Sequence, residues 1–366
     1  MDDELIQEAE RLGTTLVPIA EAGTPGRVNR QLVSALGSAG LFEKVFGPGQ
    51  ITAVVLCQVR QGLARVCTEA ETAFAVQGLG GVAIHRHGSD HVVDEWGPRL
   101  RSGGAVAAFA LTEPGAGSDA AALALAAVPD GDGYRLSGEK AYISNAPDAD
   151  IATVFARTTP DAGARGVTAF AVPMERDGVS GERIDMIAPH ALGSWSFDGV
   201  YVTADEVLGE IDDGFRVAME TLDLFRPSVG AFALGMAEAA LGIAVEHARS
   251  REAFGTPISR FQGVSHQLAD VKVSIEASRH LIYDAARAYD SDGAGITGKA
   301  AMAKLYATET AQRAVDVAIQ VLGARGLEAD STLAHLYKEV RAPRIYEGTS
   351  EIQRNIISRE LLRDRI

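Results

Sequence analysis

The chain has 366 residues, of which 46% are hydrophobic and 23% are charged, and its formal net charge is −15. This length exceeds one ordinary core and predicts two or three domains, and no apolar run reaches the roughly 18–20 residues of a membrane span. The acidic balance disfavours nucleic acid and anionic membranes as partners. The chain has two cysteines without metal-type spacing, and its acidic start is unlike a secretory signal. Both features predict a cytoplasmic protein.

Hydropathy patterning changes twice along the chain. Residues 1–102 carry apolar side chains at helical spacing and predict an N-terminal helical domain. Residues 103–208 consist of short stretches rich in β-branched and aromatic residues, separated by turns such as "PDGDG", and predict a β domain. Residues 209–366 return to long helical patterns whose many alanines and glycines permit close helix packing.

The stretch "LTEPGAGSDAAAL", residues 111–123, follows a predicted strand. Its Gly-x-Gly-Ser turn can present successive backbone N–H groups to an anion, and Thr112 and Ser118 add hydroxyl donors. An ordinary surface turn is the alternative, and the turn by itself favours it.

The stretch "GEKAYISNA", residues 138–146, places Tyr142 and Ser144 in alternation with apolar residues, so both lie on one face of a strand. An aromatic ring and a hydroxyl on one face suit stacking on, and hydrogen bonding to, a flat heterocycle. Taken alone, the pattern favours an ordinary half-buried strand.

The stretch "SREAFGTPISRFQ", residues 250–262, predicts that Arg251 closes one helix and Ser259 caps the next. An arginine beside an exposed phenylalanine suits a phosphate and a ring. A plain helix–helix connection fits the pattern equally well.

Two other sequence patterns give little support for a functional site. His87 and His91 have H-x-x-x-H spacing, but Gly88 and Ser89 between them predict a helix end followed by an N-cap, so no metal site is predicted. The glycine pattern "GLGGVA", residues 78–83, follows a helical segment instead of a strand, and it is rejected as a dinucleotide motif.

The stretch "IYEGTSEIQR", residues 345–354, places a carboxylate just before a helix. Ser350 and Gln353 predict a capping box, which leaves Glu347 outside the helix, and Gly348 removes side-chain bulk beside it. As a lone observation, a glutamate there is better interpreted as a solvated surface charge.

Together and in this order, these motifs resemble the acyl-CoA dehydrogenase flavoprotein family from about residue 5 to the end of the chain. Residues 111–123 are similar to the first signature of that family, residues 320–354 to the second, and "REAFGTPISRFQ" to the block between them. The resemblance implies an α+β fold with an N-terminal helical domain, a central β-barrel-like domain and a C-terminal four-helix bundle. It also implies FAD between the β domain and the bundle, and a homodimer or homotetramer.

Carried over by motif, the resemblance makes Glu347 the catalytic base and Arg226 the arginine that organises it. Phe225 stands where some branches of the family place the base, which leaves Glu347 as the sole candidate. The residues assigned to substrate are Asp223, Tyr346 and Gly348.

The resemblance also assigns residues to the cofactor, four of which (Arg251, Phe254, Gln262 and Gln320) would serve the FAD of a second subunit. The residues assigned to FAD are Leu111, Thr112, Gly117, Ser118, Tyr142, Ser144, Arg251, Phe254, Gln262, Gln320, Ala324 and Thr349.

In this family a base removes the α-proton of an acyl thioester while hydride leaves the β-carbon for the flavin. A carboxylate in an apolar cleft has a raised pKa and is a stronger base, so we expect Glu347 in such a cleft, facing the flavin across the substrate.

The departures from the family pattern resemble its branch in polyketide extender-unit pathways, which make hydroxymalonyl and methoxymalonyl units. They include Tyr142, Ser144, Ala324 and a short stretch at residues 189–200. That branch implies a small C3 acyl group on an acyl carrier protein. The alternatives are a short-chain acyl-CoA dehydrogenase or oxidase, with electron-transfer flavoprotein as one candidate acceptor, and, in a different class, a non-catalytic thioester-binding scaffold.

Overall fold

A computed structural model describes residues 3–49, 51–292 and 296–362 of the chain. The helices are α1 (Glu4–Glu21), α2 (Arg30–Ser38), α3 (Glu43–Phe46), α4 (Ala53–Ala64), α5 (Thr68–His87), α6 (Asp90–Ser102), α7 (Gly214–Ser250), α8 (Gln262–Asp292), α9 (Ile296–Leu322), α10 (Thr332–Glu339) and α11 (Ser350–Leu361). The strands are β1 (Ala107–Ala110), β2 (Ala126–Asp130), β3 (Gly133–Ser144), β4 (Ile151–Arg157), β5 (Val167–Pro173), β6 (Val179–Arg183), β7 (Leu192–Thr203), β8 (Val207–Leu208), β9 (Glu252–Ala253) and β10 (Thr256–Pro257).

The order of these elements confirms the predicted α+β class, with a β region between two helical regions. Within the described residues, helices end at Ser102, strands β1–β8 follow, and long helices begin again at Gly214. The exact domain boundaries at 102/103 and 208/209 stay a prediction.

Strands β1–β8 form one sheet in the order β6-β7-β3-β2-β4-β5-β8, and β1 pairs in parallel with β4. The long strands β3 and β7 pair antiparallel, from Gly133 opposite Thr203 to Ser144 opposite Leu192. Their register is irregular between Lys140 and Ile143, so the backbone of β3 departs from a regular ladder there. This irregularity lies directly beside Tyr142.

The chain folds into two compact units, each assembled from segments that are distant in sequence. The first comprises Met1–Thr15, Thr52–Glu71 and Asp223–Ile366; the second comprises Leu16–Ile51 and Thr72–Leu222.

In the first unit, α4 is held by polar contacts at both ends. The Asp290 carboxylate accepts hydrogen bonds from the N–H groups of Ala53 (2.7 Å) and Val54 (3.1 Å), where a helix N-terminus favours negative charge. Near the other end, Gln61 donates to Glu238 on α7 (3.0 Å). These contacts fix the helix that carries Arg60.

In the second unit, helix α5 approaches the sheet closely at Gly80. A Cβ on Gly80 would lie 2.6 Å from the backbone nitrogen of Ala108, and the Thr153 hydroxyl donates to the Gly80 carbonyl at 2.8 Å. The glycines of "GLGGVA" therefore lie inside a helix, where Gly80 and Gly81 permit close packing, which agrees with their rejection as a dinucleotide motif.

Helix α7 corrects the expectation that no segment is long and apolar enough to span a membrane. By length and composition it passes that test, with a mean hydropathy of 1.7 in its most apolar window, but 67% of that window is buried inside the protein. A core helix of a globular protein has this pattern as well, and the burial favours that interpretation.

Candidate functional site

The turn before α11 places Glu347 in the left-handed region, with φ of 51°, followed by Gly348 with φ of 89°. A non-glycine residue rarely adopts this conformation, and it persists only where surrounding contacts enforce it. Two side chains supply those contacts. Lys304, which is fully buried, donates to the carbonyls of Tyr346 (2.9 Å) and Gly348 (2.5 Å). Gln353 donates to the carbonyls of Glu347 (3.2 Å) and Gly348 (2.9 Å).

The predicted capping box at Ser350 and Gln353 is therefore wrong. The N-cap is Thr349, whose hydroxyl accepts from the N–H of Ile352 at 3.3 Å. Ser350 is the first helical residue and donates to Glu309 at 2.7 Å. The left-handed turn folds its carbonyls toward the start of the helix, and these carbonyls take the donor groups of Gln353. Gln353 thus positions the turn that carries Glu347.

Burial and nearby positive charges shift the pKa of the Glu347 carboxyl in opposite directions. Its Oε2 is buried and has no hydrogen-bond partner among the described residues. Desolvation raises the pKa of Glu347 above its ordinary value, and the positive charges of Arg60, Arg226 and Lys304 oppose that rise. A carboxylate with a raised pKa and a free oxygen is suited to accept a proton.

Arg226 is buried and forms an ion pair with Asp223, with Nη1 and Oδ1 2.7 Å apart. Its Nε is buried without a partner within the described part of the chain, so one donor remains for a ligand. Desolvation raises the pKa of Asp223 despite the opposing effect of Arg226. Between them on α7, Phe225 is buried and brings no second carboxylate to this place.

Arg60 and Glu71 form a second ion pair near Glu347 that the sequence analysis missed. Both side chains are buried, and Arg60 also donates to the Ser228 hydroxyl at 2.8 Å. The available signal was Arg60, the one charged residue in the apolar sequence of α4; Glu71 lies beside Glu69 in the first turn of α5 and gave no such signal. The apolar cleft expected around Glu347 stays a prediction: burial raises the pKa of this carboxyl as expected, while the charges of Arg60, Arg226 and Lys304 oppose the rise.

In the second unit, a buried ion pair fixes the loop at residues 111–123. Lys140 and Glu113 lie 2.8 Å apart, and Lys140 also donates to the Leu111 carbonyl at 3.1 Å. Glu113 accepts from the N–H groups of Ala124 (2.6 Å) and Leu125 (2.9 Å). Desolvation lowers the pKa of Lys140 to about 8. The sequence analysis did not identify this pair, which holds both ends of the loop.

The predicted flavin-contacting residues of this unit offer unused polar groups. The side chains of Thr112, Ser118, Tyr142 and Ser144 make no hydrogen bond to the described parts of the chain. Tyr142 is 60% exposed and has φ of 57°, whereas Ala141 and Ile143 beside it are buried. The strand thus presents its aromatic ring outward, as the alternation predicted.

The same unit brings the loop and the strand side by side. The Thr112 carbonyl accepts from the N–H of Ala141 at 3.0 Å, next to Tyr142. Gly117 has open space where a Cβ would lie, and Leu111 is buried under the loop. Thr112 and Tyr142 therefore belong to one local surface.

Between α7 and α8 the structure corrects one detail of the prediction. Arg251 does follow the end of α7, but a hairpin of β9 and β10 comes next, and Ser259 lies in a 3-10 turn (Ile258–Arg260) instead of capping α8. Phe254, at the tip of the hairpin, is 97% exposed with φ of 53°. The other three residues assigned to a second subunit's cofactor, Arg251, Gln262 and Gln320, are also exposed. Ala324, which is assigned to FAD as well, is exposed too.

The histidine pattern forms no metal site within the described residues, where no group of three or more potential ligands occurs. Helix α5 ends at His87, and Ser89 caps α6 by accepting from the N–H of Val92 at 3.4 Å. The helix end and N-cap predicted at Gly88 and Ser89 are confirmed.

These features fit a bound flavin nucleotide. Such a ligand needs an outward aromatic ring, hydroxyl donors without protein partners and a glycine turn open enough for close approach, and each is present in the second unit. Moreover, Tyr142, Phe254 and Glu347 account for three of the six non-glycine residues with positive φ in the described residues. Backbone strain thus occurs at predicted functional positions.

Comparison with known proteins agrees with this picture. Residues 108–200 match the family model for the middle domain of acyl-CoA dehydrogenases, and residues 212–362 match the model for their C-terminal domain. The mitochondrial short-chain specific acyl-CoA dehydrogenase of Sus scrofa is 36% identical over 360 residues, which cover 95% of this chain and 86% of that protein.

Two solved structures have closely similar folds. Butyryl-CoA dehydrogenase from Megasphaera elsdenii has a TM-score of 0.91 and 32% identity, with 98% of each chain covered. A structure of PigA with FAD and proline has a TM-score of 0.92 and 25% identity, covering 98% of this chain and 96% of that one.

Proposed function

This chain belongs to the acyl-CoA dehydrogenase family and is an FAD-dependent oxidoreductase acting on CH–CH bonds of acyl thioesters, and we propose that Glu347 is its base and a small acyl thioester its substrate. One observation carries the proposal. Glu347 combines a buried, unpartnered carboxylate oxygen with a strained turn that Lys304 and Gln353 hold from two sides.

The residues of the proposed site have separate roles. Glu347 accepts the α-proton at Oε2, and the nearby positive charges of Arg60 and Arg226 keep enough of it ionised to do so. Lys304 and Gln353 hold the backbone so that the carboxylate keeps one direction. FAD, when bound, accepts the hydride that leaves the β-carbon.

We assign Tyr142 to the face of the flavin ring, Ser144 and Thr112 to its polar edges, and Ser118 with Gly117 to the pyrophosphate. Thr349 and Leu111 support the same cofactor. The exposure of Arg251, Phe254, Gln262, Gln320 and Ala324 supports their assignment to the FAD of a second subunit, and hence a homodimer or homotetramer. Asp223, Tyr346 and Gly348 are assigned to the substrate.

We further propose that the acyl group is carried by an acyl carrier protein, in the synthesis of a polyketide extender unit in the cytoplasm. The buried charges around Glu347 support a small oxygenated acyl group. Electron-transfer flavoprotein is the proposed acceptor.

A short-chain acyl-CoA dehydrogenase is the second candidate. The similarity to the short-chain specific enzyme of Sus scrofa and to butyryl-CoA dehydrogenase supports it equally well at the level of the whole chain. The two candidates differ in the acyl group and its carrier and share the base.

The Glu347→Gln variant tests the base. We expect it to retain FAD, as judged by flavin absorbance, and to lose about 10²–10⁴-fold in the rate of flavin reduction under anaerobic conditions, the range for loss of a general base. Glu351→Gln, an exposed glutamate on α11, is the matched control and should keep wild-type activity.

An unchanged rate in Glu347→Gln would remove Glu347 from the mechanism. The same assay, run with one acyl group on carrier protein and on coenzyme A, tests the carrier. A higher kcat/KM with coenzyme A would contradict the carrier-protein proposal, and rapid peroxide release in air would assign the chain to the oxidases.

A further inference from the structure

Two charged side chains of helix α9 hold the turn that carries Glu347. Lys304 donates to two carbonyls inside the turn, those of Tyr346 (2.9 Å) and Gly348 (2.5 Å). Glu309, farther along the same helix, binds residues on either side of the turn, and none of the roles assigned above uses it. Its contacts give α9 a hold on the turn that is independent of the inner carbonyls.

The two carboxylate oxygens of Glu309 reach the two flanks of the turn. Oε2 forms an ion pair with Arg344 on the N-terminal side, where Nη2 lies 2.8 Å away. Oε1 accepts a hydrogen bond from the Ser350 hydroxyl at 2.7 Å, at the start of α11. Arg354 lies farther off, with its Nη2 4.0 Å from Oε1. One side chain thus bridges the residues that precede and follow the turn.

The surroundings of this bridge strengthen both of its contacts. Ser350 is buried, and the side chains of Glu309 and Arg344 are partly buried, so salt screens them less than an exposed pair. Each contact also has a charged member, which makes a hydrogen bond stronger than a neutral one. The first turn of α11 adds to this, because a helix N-terminus favours a nearby carboxylate. Glu309 therefore fixes both flanks of the turn to α9.

The left-handed backbone of the turn needs this support. Glu347 has φ of 51° and Gly348 has φ of 89°, and such a backbone persists only where its surroundings enforce it. Lys304 and Gln353 bind carbonyls within the turn, whereas Glu309 fixes where its ends lie. The direction of the Glu347 carboxylate depends on both sets of contacts.

We propose that Glu309 is a positioning residue for the base: by bridging Arg344 and Ser350 it holds the turn so that the Glu347 carboxylate keeps its productive direction. This inference rests on the proposed function, in which Glu347 takes the α-proton. Glu309 itself touches neither substrate nor flavin in this role. Its removal should therefore slow proton transfer without weakening the binding of either.

The first test is Glu309→Ala in the FAD-loaded enzyme. Flavin reduction is followed anaerobically with butyryl-coenzyme A and with 2,3-dihydroxypropionyl-pantetheine, over a range of thioester concentrations that gives the limiting rate and the apparent Kd. We expect the limiting rate to fall by about 10- to 100-fold, the cost of a small displacement of a catalytic group, with FAD content and apparent Kd nearly unchanged. Glu309→Gln keeps an acceptor oxygen for Ser350 and should lose less.

The double variant Glu309→Ala with Glu347→Gln separates positioning from general stability. A residue that acts only through the base has nothing to position once the base is removed. Glu309→Ala should therefore cost little further in the Glu347→Gln background. A residue that supports the fold or the FAD site would instead lower the rate by the same factor in both backgrounds.

Variants of the two flanks test the bridge from its other ends. Ser350→Ala and Arg344→Met each remove one contact of Glu309 and should each reproduce part of its loss. They also carry the test if Glu309→Ala does not fold, since each leaves the other contact in place. The matched control is Asp284→Ala, which removes another carboxylate that pairs with α9, at Lys299 (2.9 Å), and should keep the wild-type rate.

Three results would overturn the inference while leaving Glu347 as the base. They are a wild-type limiting rate in Glu309→Ala, a loss that reflects only weaker binding of FAD or thioester, and equal losses in the two backgrounds. If Glu309→Ala does not fold, wild-type rates in both flank variants would overturn it as well. An unchanged rate in Glu347→Gln alone, or a wild type whose flavin neither thioester reduces, would instead contradict the proposed function and remove the premise of the inference.

Discussion

At the scale of single residues, Glu347 shows how position gives a common side chain a particular chemistry. Burial of its carboxylate raises the pKa of Glu347, and Arg60 and Arg226 limit that rise. A base works only when deprotonated, so activity must fall as the pH drops through the pKa of Glu347 in the free enzyme.

We therefore expect the acid limb of the pH profile of kcat/KM to lie above the ordinary range of a glutamate. Arg226→Gln removes a charge that stabilises the carboxylate, so the pKa of Glu347 should rise further and the limb should move to higher pH. Arg226→Lys keeps the charge and should leave the limb near the wild-type position. The measurement is kcat/KM from pH 4 to 9 with a saturating electron acceptor; a shift to lower pH in Arg226→Gln would contradict the electrostatic assignment.

At the scale of elements, the turn preceding α11 matters more than the helix itself for the position of Glu347. Gly348 has φ of 89°, and a Cβ there would lie 2.6 Å from the Gln353 Nε2 that holds the turn. A substitution at this position must therefore strain the backbone and displace a stabilising donor at once.

Gly348→Ala should lower the rate of flavin reduction at least about tenfold, because small displacements of a catalytic group are costly, and it should leave FAD content unchanged. Gly242→Ala on α7 is the matched control, since it faces open space with a helical backbone and should be neutral or slightly stabilising. Equal activity of the two variants would show that the turn tolerates a side chain.

At the scale of the whole molecule, cofactor binding and folding are linked. A ligand that binds only the folded protein stabilises it by about 2.7 kcal/mol at a concentration 100 times its Kd. Several predicted flavin contacts lack protein partners among the described residues, so we expect the apoprotein to form hydrogen bonds at these groups when FAD binds.

We expect FAD to raise the Tm of the apoprotein in a saturable manner, measured by thermal scanning against FAD concentration. Tyr142→Gly should separate the two roles of that residue: it relieves the positive φ, so the apoprotein should be no less stable, yet it removes the aromatic contact, so the FAD-dependent shift should shrink. Tyr337→Ala, another exposed tyrosine, should leave the shift unchanged. A full shift in Tyr142→Gly would exclude the assigned stacking role.

The sequence by itself determined the order of helical and β regions, the family and the cofactor. Periodicity depends on local burial, and motifs such as "LTEPGAGSD" and "IYEGTSEIQR" are contiguous, so both are visible in a single chain. The strand face of Tyr142 and the helix end at Gly88 were predicted for the same reason.

Only the tertiary structure decided which distant residues surround the site. Arg60, Glu71 and Ser228 are far apart in sequence, as are Lys304 and Gly348, and no local pattern reports their pairing. The capping box predicted at Ser350 is wrong because the left-handed turn at Glu347 and Gly348 accepts the hydrogen bonds that the Gln353 side chain donates. Hydrogen bonds and buried charge depend on contacts in space. Here those contacts make Glu347, which the sequence motif alone favours as a surface charge, a candidate base.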